Sequence, residues 1–344
     1  MPKGKDNEKK NIPYGVLILF LLLVLMLVII GSMMVGRFAI TPGQILSILF
    51  HPDKASGISQ TVLLKVRLSR VLGAVLIGGA LSLSGAAYQG MFRNPMVSPD
   101  ILGASAGASF GAALSILLGL NGFLIQVVAF GFGLLAVSAS VLVSHLISED
   151  NSERVMTLVL TGMVISALFA ALVSITKYVA DPYDQLPIIT FWLMGGLTYI
   201  TIDDIAKLML PLLVGTLPMI MLSWRLNLLS MGDEEAAAMG VNPRKIRLIY
   251  IFCATLLTSS VVSIAGMIGW VGLIIPHLVR MITGVDHRRL LPVSMLLGAI
   301  FLTLVDDVAR SLFAQEIPLG ILTAIIGSPF FLYLLYRGRR GWNS

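Results

Sequence analysis

Cysteine is nearly missing. One residue in 344, Cys253, sits inside an apolar run, which excludes a disulfide framework and a cysteine-built metal cluster. Histidine is scarce too. His51, His145, His277 and His287 are scattered, and none shows a second ligand at metal-binding spacing, so no metal site is expected. Charge is thin: Asp, Glu, Lys and Arg make up 12% of the chain, about half the share of a soluble domain. Strict apolar–polar alternation is absent, which excludes membrane β-strands. No cleavage site of small residues follows the first apolar run, so that run is expected to be retained as a span.

What remains is long and apolar. No charged residue occurs at 11–36, 71–92, 101–148, 155–176, 185–202, 208–224, 248–279, 290–305 or 317–336. A helix needs about 20 apolar residues to cross a bilayer. The expected fold is all-α: a polytopic membrane protein with about ten spans, in one domain covering 1–344. The spans are placed at 14–35, 70–91, 102–119, 122–147, 155–178, 205–224, 246–265, 268–283, 290–312 and 317–337. A short surface helix is expected at 190–200.

Ten spans put both ends on one side. Most of the 24 Lys and Arg residues then fall in inner segments, as the positive-inside rule asks. The expected topology is N-in and C-in, with a cytoplasmic tail at 1–13. The net charge of +6 is therefore a membrane signal and no nucleic-acid partner is expected. The exceptions cluster at 36–70, an expected extracytoplasmic loop. It holds Arg37, Lys54, Lys65, Arg67 and Arg70 against Asp53. Such a loop is either tolerated or receives an acidic partner.

The segment 225–247, RLNLLSMGDEEAAAMGVNPRKIR, is the polar exception among these spans. Asp233, Glu234 and Glu235 open an Ala-rich stretch that Gly240 closes, and Asn242-Pro243 starts the next helix. A loop between spans needs only a few residues. This one is long enough to seat a helix in a partner's groove.

Inside the spans, Gly103, Gly107 and Gly111 recur every four residues, a small-residue packing stripe. Gly103-Ala104-Ser105-Ala106-Gly107 also fits the nucleophile pattern G-x-S-x-G. No strand precedes it and no histidine offers a base, so packing is preferred to an intramembrane protease. Asp306, Asp307 and Arg310 are the notable ionisable residues, with Asp306 and Arg310 spaced for an i,i+4 pair. An ion-driven carrier would be expected to hold several midplane carboxylates. Their scarcity favours a pathway moved by an external motor.

Several stretches carry a resemblance to a known family. They are Arg67-Leu68-Ser69-Arg70; GALSLSGAAYQGMFRNP at 79–95, running on into SPDILGASAGASFGA; FWLMGG at 191–196; LNLLSMGDEEAAAMGVN at 226–242; GMIGWVGLIIPHLVRMITGVDHRRLLP at 266–292; and IPLGILTAIIGSPFFLYLL near the end. The chain resembles, from about 60 to 337, the FecCD-type permease subunits of bacterial ABC importers for iron–siderophore complexes, haem and cobalamin. The resemblance implies a ten-helix subunit paired with a second permease, identical or paralogous. It also implies two ATP-binding subunits inside, a substrate-binding protein outside, and a multi-pass location in the bacterial cytoplasmic membrane. It places ATPase coupling on 226–242, through Leu226, Asp233, Glu234, Gly240 and Asn242. It places docking of the binding protein on Arg67, Arg70 and Arg310. Two positions depart from the family: Ser69 stands where Pro is usual, and Asp307 where an apolar residue is usual.

The implied activity is transport, with no cofactor on this chain and ATP used by the partner. Ferric siderophore is the expected cargo, and cobalamin or haem the alternative. An ion-coupled secondary carrier is the rival from another class. Gly85, Gln89 and Gly195 are the expected lining of the path.

Overall fold

A computed structural model describes residues 13–36, 38, 40–50, 57–148, 151–312 and 315–341. The basic tail before residue 13, and Arg37, Asp53 and Lys54 of the outer cluster, lie outside the described residues. Among the described residues there are helices and no strands.

Helix α1 (Tyr14–Met34) leads through α2 (Pro42–Phe50) and α3 (Gly57–Thr61) into a π-helical turn at Val62–Arg67. That turn continues directly into α4 (Leu68–Met91). The expected loop 36–70 is thus largely helical, and the second span starts before residue 70. Ser69 lets the helix run on: its Oγ donates to the Lys65 carbonyl at 2.7 Å. A 3₁₀ turn (Pro99–Leu102) precedes α5 (Ala104–Leu117); α6 (Gly122–Ile147), α7 (Asn151–Val179) and α8 (Gln185–Leu193) follow. The surface helix expected at 190–200 is α8, which lies earlier. Gly195, at φ +70°, stands two residues past its end.

Helix α9 (Ile202–Met221) begins with a capping box. Thr201 Oγ1 accepts from the Asp204 amide at 3.2 Å, and the Asp204 carboxylate accepts from the Thr201 amide at 3.0 Å. Helices α10 (Ser223–Met231) and α11 (Asp233–Ala238) are short; α12 (Pro243–Ala265), α13 (Val271–Thr283), α14 (His287–Ser311) and α15 (Leu319–Gly341) complete the chain.

Among the described residues, seven helices are long and apolar enough to cross a membrane: α1, the run 57–91, α6, α7 (from Val155), α9, α12 and α14. Three shorter apolar helices, α5, α13 and the part of α15 up to Tyr333, join them. Helix α13 is shorter than expected because Gly266 (φ +67°) and Trp270 (φ +70°) turn the backbone first. Trp270 is strained for a non-glycine residue. Its indole is held against Gly327 and edge-on to Phe331 at 6.1 Å.

The centre of the bundle is α4, whose strongest packing is on α14. Both helices use small residues to approach closely. A Cβ at Gly78 would strike the Gly298 carbonyl and Leu302, and one at Gly85 would sit on the Gly272 carbonyl of α13. Close backbone approach through small residues is the usual way helices associate in a membrane. Helices α1 and α7 lie outermost, and many of their apolar side chains are exposed.

Candidate functional sites at the two ends of the bundle

One end gathers the start of α1, the ends of α4 and α13, the start of α14, and α10–α11. Helix α10 was not expected: the chain breaks at Leu222 and restarts. Leu226 is fully buried beneath it, and Ala236 is the buried anchor of α11. Leu226 therefore anchors the segment in the core of this protomer. Glu234 and Glu235 are exposed. The Asp233 carboxylate accepts from Arg247 Nη2 at 2.9 and 3.2 Å. Gly240 takes φ +79°, where a Cβ costs roughly 1–2 kcal/mol, so the turn calls for glycine. Asn242 caps α12 by accepting from the Lys245 amide at 3.0 Å. These residues border an open cavity of about 1060 Å³ with Arg93, Arg244 and Arg247.

Sequence reasoning missed Asn227. Its Nδ2 donates to Asp286 at 2.7 Å, and its Oδ1 accepts from the His287 amide (2.8 Å) and His287 Nδ1 (2.7 Å). An amide oxygen only accepts, so His287 carries its proton on Nδ1. Asp286 in turn accepts from the Arg288 amide at 3.0 Å and caps α14. Burial works against the ionised Asp286, but the Asn227 bond, the Arg288 amide and the charges of Arg288 and Arg289 outweigh it. The carboxyl is held below its usual range. One side chain thus latches α10 to the α13–α14 corner. The polar N-L-L spacing around Asn227 carried no signal of a partner 60 residues away.

The other end holds the arginines. Arg67, Arg70 and Arg310 are 4%, 6% and 5% exposed, and internal groups engage all three. Arg67 Nη1 donates to the carbonyls of Met33 (2.7 Å) and Met34 (3.2 Å), and Nη2 to that of Phe38. Arg310 Nη2 donates to the Ser32 carbonyl and to Ser32 Oγ, each at 2.6 Å, and to Asp307. Two guanidiniums therefore cap the last carbonyls of α1, which have no partner within the helix and carry its negative dipole end. Asp307 accepts from Ser32 Oγ at 2.7 Å. That gives the unusual aspartate its place: it ties α14 to α1.

Arg70 Nε donates to both oxygens of Asp306 at 2.9 Å, and Nη1 reaches Glu316 at 2.7 Å. The expected i,i+4 pair of Asp306 and Arg310 is long, at 3.7 Å; the tight partner comes from α4. The three arginines are thus not the open basic surface that the charge count suggested. Their neighbours in space are acids and carbonyls, most of them on another helix and two, Asp306 and Asp307, one turn away from Arg310 in α14.

The expected lining residues are likewise interior. Gly85 abuts Gly272 and Gly195 abuts Met267. Gln89 is buried: its amide donates to the Leu273 carbonyl at 3.2 Å and its oxygen accepts from Arg280 at 3.0 Å. These contacts seat the three residues inside the protomer, and Gln89 also borders a cavity of about 340 Å³ with Gly90, Arg93 and Arg280. Ser105 Oγ donates to Asp100, which accounts for it without a nucleophilic role. Among the described residues, no cluster of His, Cys, Asp or Glu is arranged to hold a metal.

An apolar helical bundle with one polar, helix-bearing end-face has the form of a multi-pass membrane protein. The chain belongs to the FecCD transport family, which it matches over residues 22–337. It is 42% identical over 333 residues to the molybdate import system permease protein MolB of Haemophilus influenzae, covering 95% of this chain and 97% of that one. It is 38% identical over 289 residues to a probable iron chelatin transport system permease protein of Helicobacter pylori, covering 84% and 86%. A solved structure described as an inward-facing conformation of a metal-chelate type ABC transporter is 40% identical. It superposes with a TM-score of 0.86 over 94% of this chain and 100% of that one. The chain is an ABC importer permease of the metal-chelate type.

Proposed function

We propose that this subunit forms half of the path of an ATP-driven importer for a ferric siderophore. Two ATP-binding subunits work inside, a binding protein delivers outside, and a second permease completes the path. The carrying observation is the α10–α11 segment: buried at Leu226 and Ala236, acidic and exposed at Glu234 and Glu235, and bordering a wide open cavity. Helix-in-groove seating needs such a rigid, partly exposed element. In this reading ATP-driven closure of the partner pushes on α11, and Asn227 and Arg247 carry the push into α14 and α12.

The chain would cross the bacterial cytoplasmic membrane ten times, the three shorter apolar helices included, with both ends inside. The meeting of α1 and α14 at the coupling end supports this, with Arg289 over the Tyr14 ring at 5.9 Å. Docking of an acidic binding-protein face at the arginine end remains part of the proposal, with one condition. An incoming carboxylate must take the place of Glu316, which is 30% exposed on its side chain, on Arg70.

The cargo has a second reading. The molybdate relative is more similar than the iron-chelatin one, which favours an oxyanion. Cobalamin and haem are the family alternatives. The test is uptake into proteoliposomes holding the assembled transporter, its binding protein and ATP, with radio-iron siderophore and molybdate offered separately. Uptake that needs ATP and the binding protein is expected, with iron preferred. Accumulation by this chain alone under an ion gradient would establish a secondary carrier instead.

A further inference from the structure

Helices α6 and α12 do not close on each other along their inner halves. Between them runs a groove of about 530 Å³. Leu134, Val137, Val141, Leu142, Leu248 and Phe252 form its walls, and three of these, Leu142, Leu248 and Phe252, are exposed on the outer face of the bundle. Its inner mouth is basic, with Arg244, Arg247 and His145. Arg244 Nη2 lies 3.1 Å from His145 Nε2. A guanidinium only donates, so in this contact the ring nitrogen is the acceptor. Arg247 is 8% exposed. One of its nitrogens is taken by Asp233, while its buried Nε has no hydrogen-bond partner among the described residues. A buried donor left unpaired costs free energy until an oxygen reaches it.

We infer that this groove holds one acidic phospholipid of the adjoining leaflet. Its phosphate would lie against Arg244 and the Nε of Arg247, and one acyl chain would follow the wall from Val141 to Phe252. Charge complementarity decides the headgroup. Arg244 and Arg247 line both this groove and the cavity beside α11; no carboxylate lines the groove itself, and of Asp233, Glu234 and Glu235 across the cavity only Asp233 pairs with either arginine, at 2.9 Å from Arg247. A net positive mouth at membrane depth favours an anionic head and disfavours a choline cation. The apolar walls decide against a free anion, which would leave them uncovered. The occupant would also act on coupling. Arg247 touches the lipid by one nitrogen and holds α11 by another, so the lipid would brace the coupling helix. This inference rests on the membrane reading above and is independent of the cargo.

The test uses the assembled transporter in nanodiscs of phosphatidylcholine with and without phosphatidylglycerol. Lipid retained by the complex is counted by native mass spectrometry. Phosphatidylglycerol should be retained over phosphatidylcholine. Arg244→Gln, a change at an exposed residue, should lower retention about five-fold, the effect of losing one basic contact near a membrane surface. Val141→Trp, which fills the groove, should do the same. A photoreactive acyl chain should mark peptides of α6 and α12. Equal retention of both lipids, variants that retain as much as wild type, or labelling of a partner subunit seated in the groove would each overturn the inference. Displacement by inorganic phosphate would do so as well, by showing a simple anion site.

Discussion

Replacing Asn227 with alanine tests the latch between α10 and the α13–α14 corner. The substitution removes three hydrogen bonds at once. The Asp286 bond weighs least, because that carboxylate is well exposed. The His287 amide weighs most. It lies at the first position of α14, where no helical acceptor exists, and His287 is buried. An orphaned buried donor costs roughly 1–3 kcal/mol. At about 2 kcal/mol the detached form of α10 becomes about thirty-fold more populated. ATP hydrolysis by the assembled transporter should persist while uptake per ATP falls, because the partner would push on an element no longer fastened to α14. Asn227→Asp should partly restore the oxygen contact. The pH dependence has a defined sign. The folded carboxyl of Asp286 is held low, so its stabilisation is present above the unfolded carboxyl range. It is lost as pH falls through the lower folded value. Without Asn227 that loss should begin at higher pH. Unchanged coupling and an unchanged acid limb of thermal stability in Asn227→Ala would refute the reasoning.

Three further outcomes are expected. Asp306→Asn removes the charge facing Arg70 in a fully buried site and should cost about 3–5 kcal/mol, read as loss of folded protein on gel filtration after mild heating; a variant as stable as wild type would refute the pairing. Gly85→Val drives a side chain onto the Gly272 backbone and should cost about 3 kcal/mol or more, whereas Gly240→Ala, with open space around it, should cost only about 1–2 kcal/mol from its backbone angle; thermal melts of the two variants decide the order. Glu316→Gln frees Arg70 from a competing charge and should tighten capture of the binding protein in a low-salt pull-down. Unchanged capture would sink the docking proposal.

The apolar runs told the helices plainly, because a bilayer demands length and composition that nothing else mimics. The polar segment 225–247 also stood out, since its acids, its glycine and its Asn-Pro start are local signals. What stayed hidden was pairing across distance. Arg70 meets Asp306 across 236 positions, and a count of charges per loop cannot tell an arginine facing water from one facing an acid inside. The same blindness hid the neighbours of Gly85 and Gln89. Small and polar residues serve both packing and passage, and only their neighbours separate the two uses. Asp307 shows the reverse: its departure from the family was visible at once, and its reason, Ser32 at the end of α1, was not.

The glycine contacts of α4 carry a mechanical meaning. Where Gly78 meets Gly298 and Gly85 meets Gly272, one helix cannot creep along its neighbour without forcing a Leu or Ser side chain into a gap sized for hydrogen. Sliding is opposed at both places, so α4, α13 and α14 are expected to travel as a single plank when this importer opens and shuts.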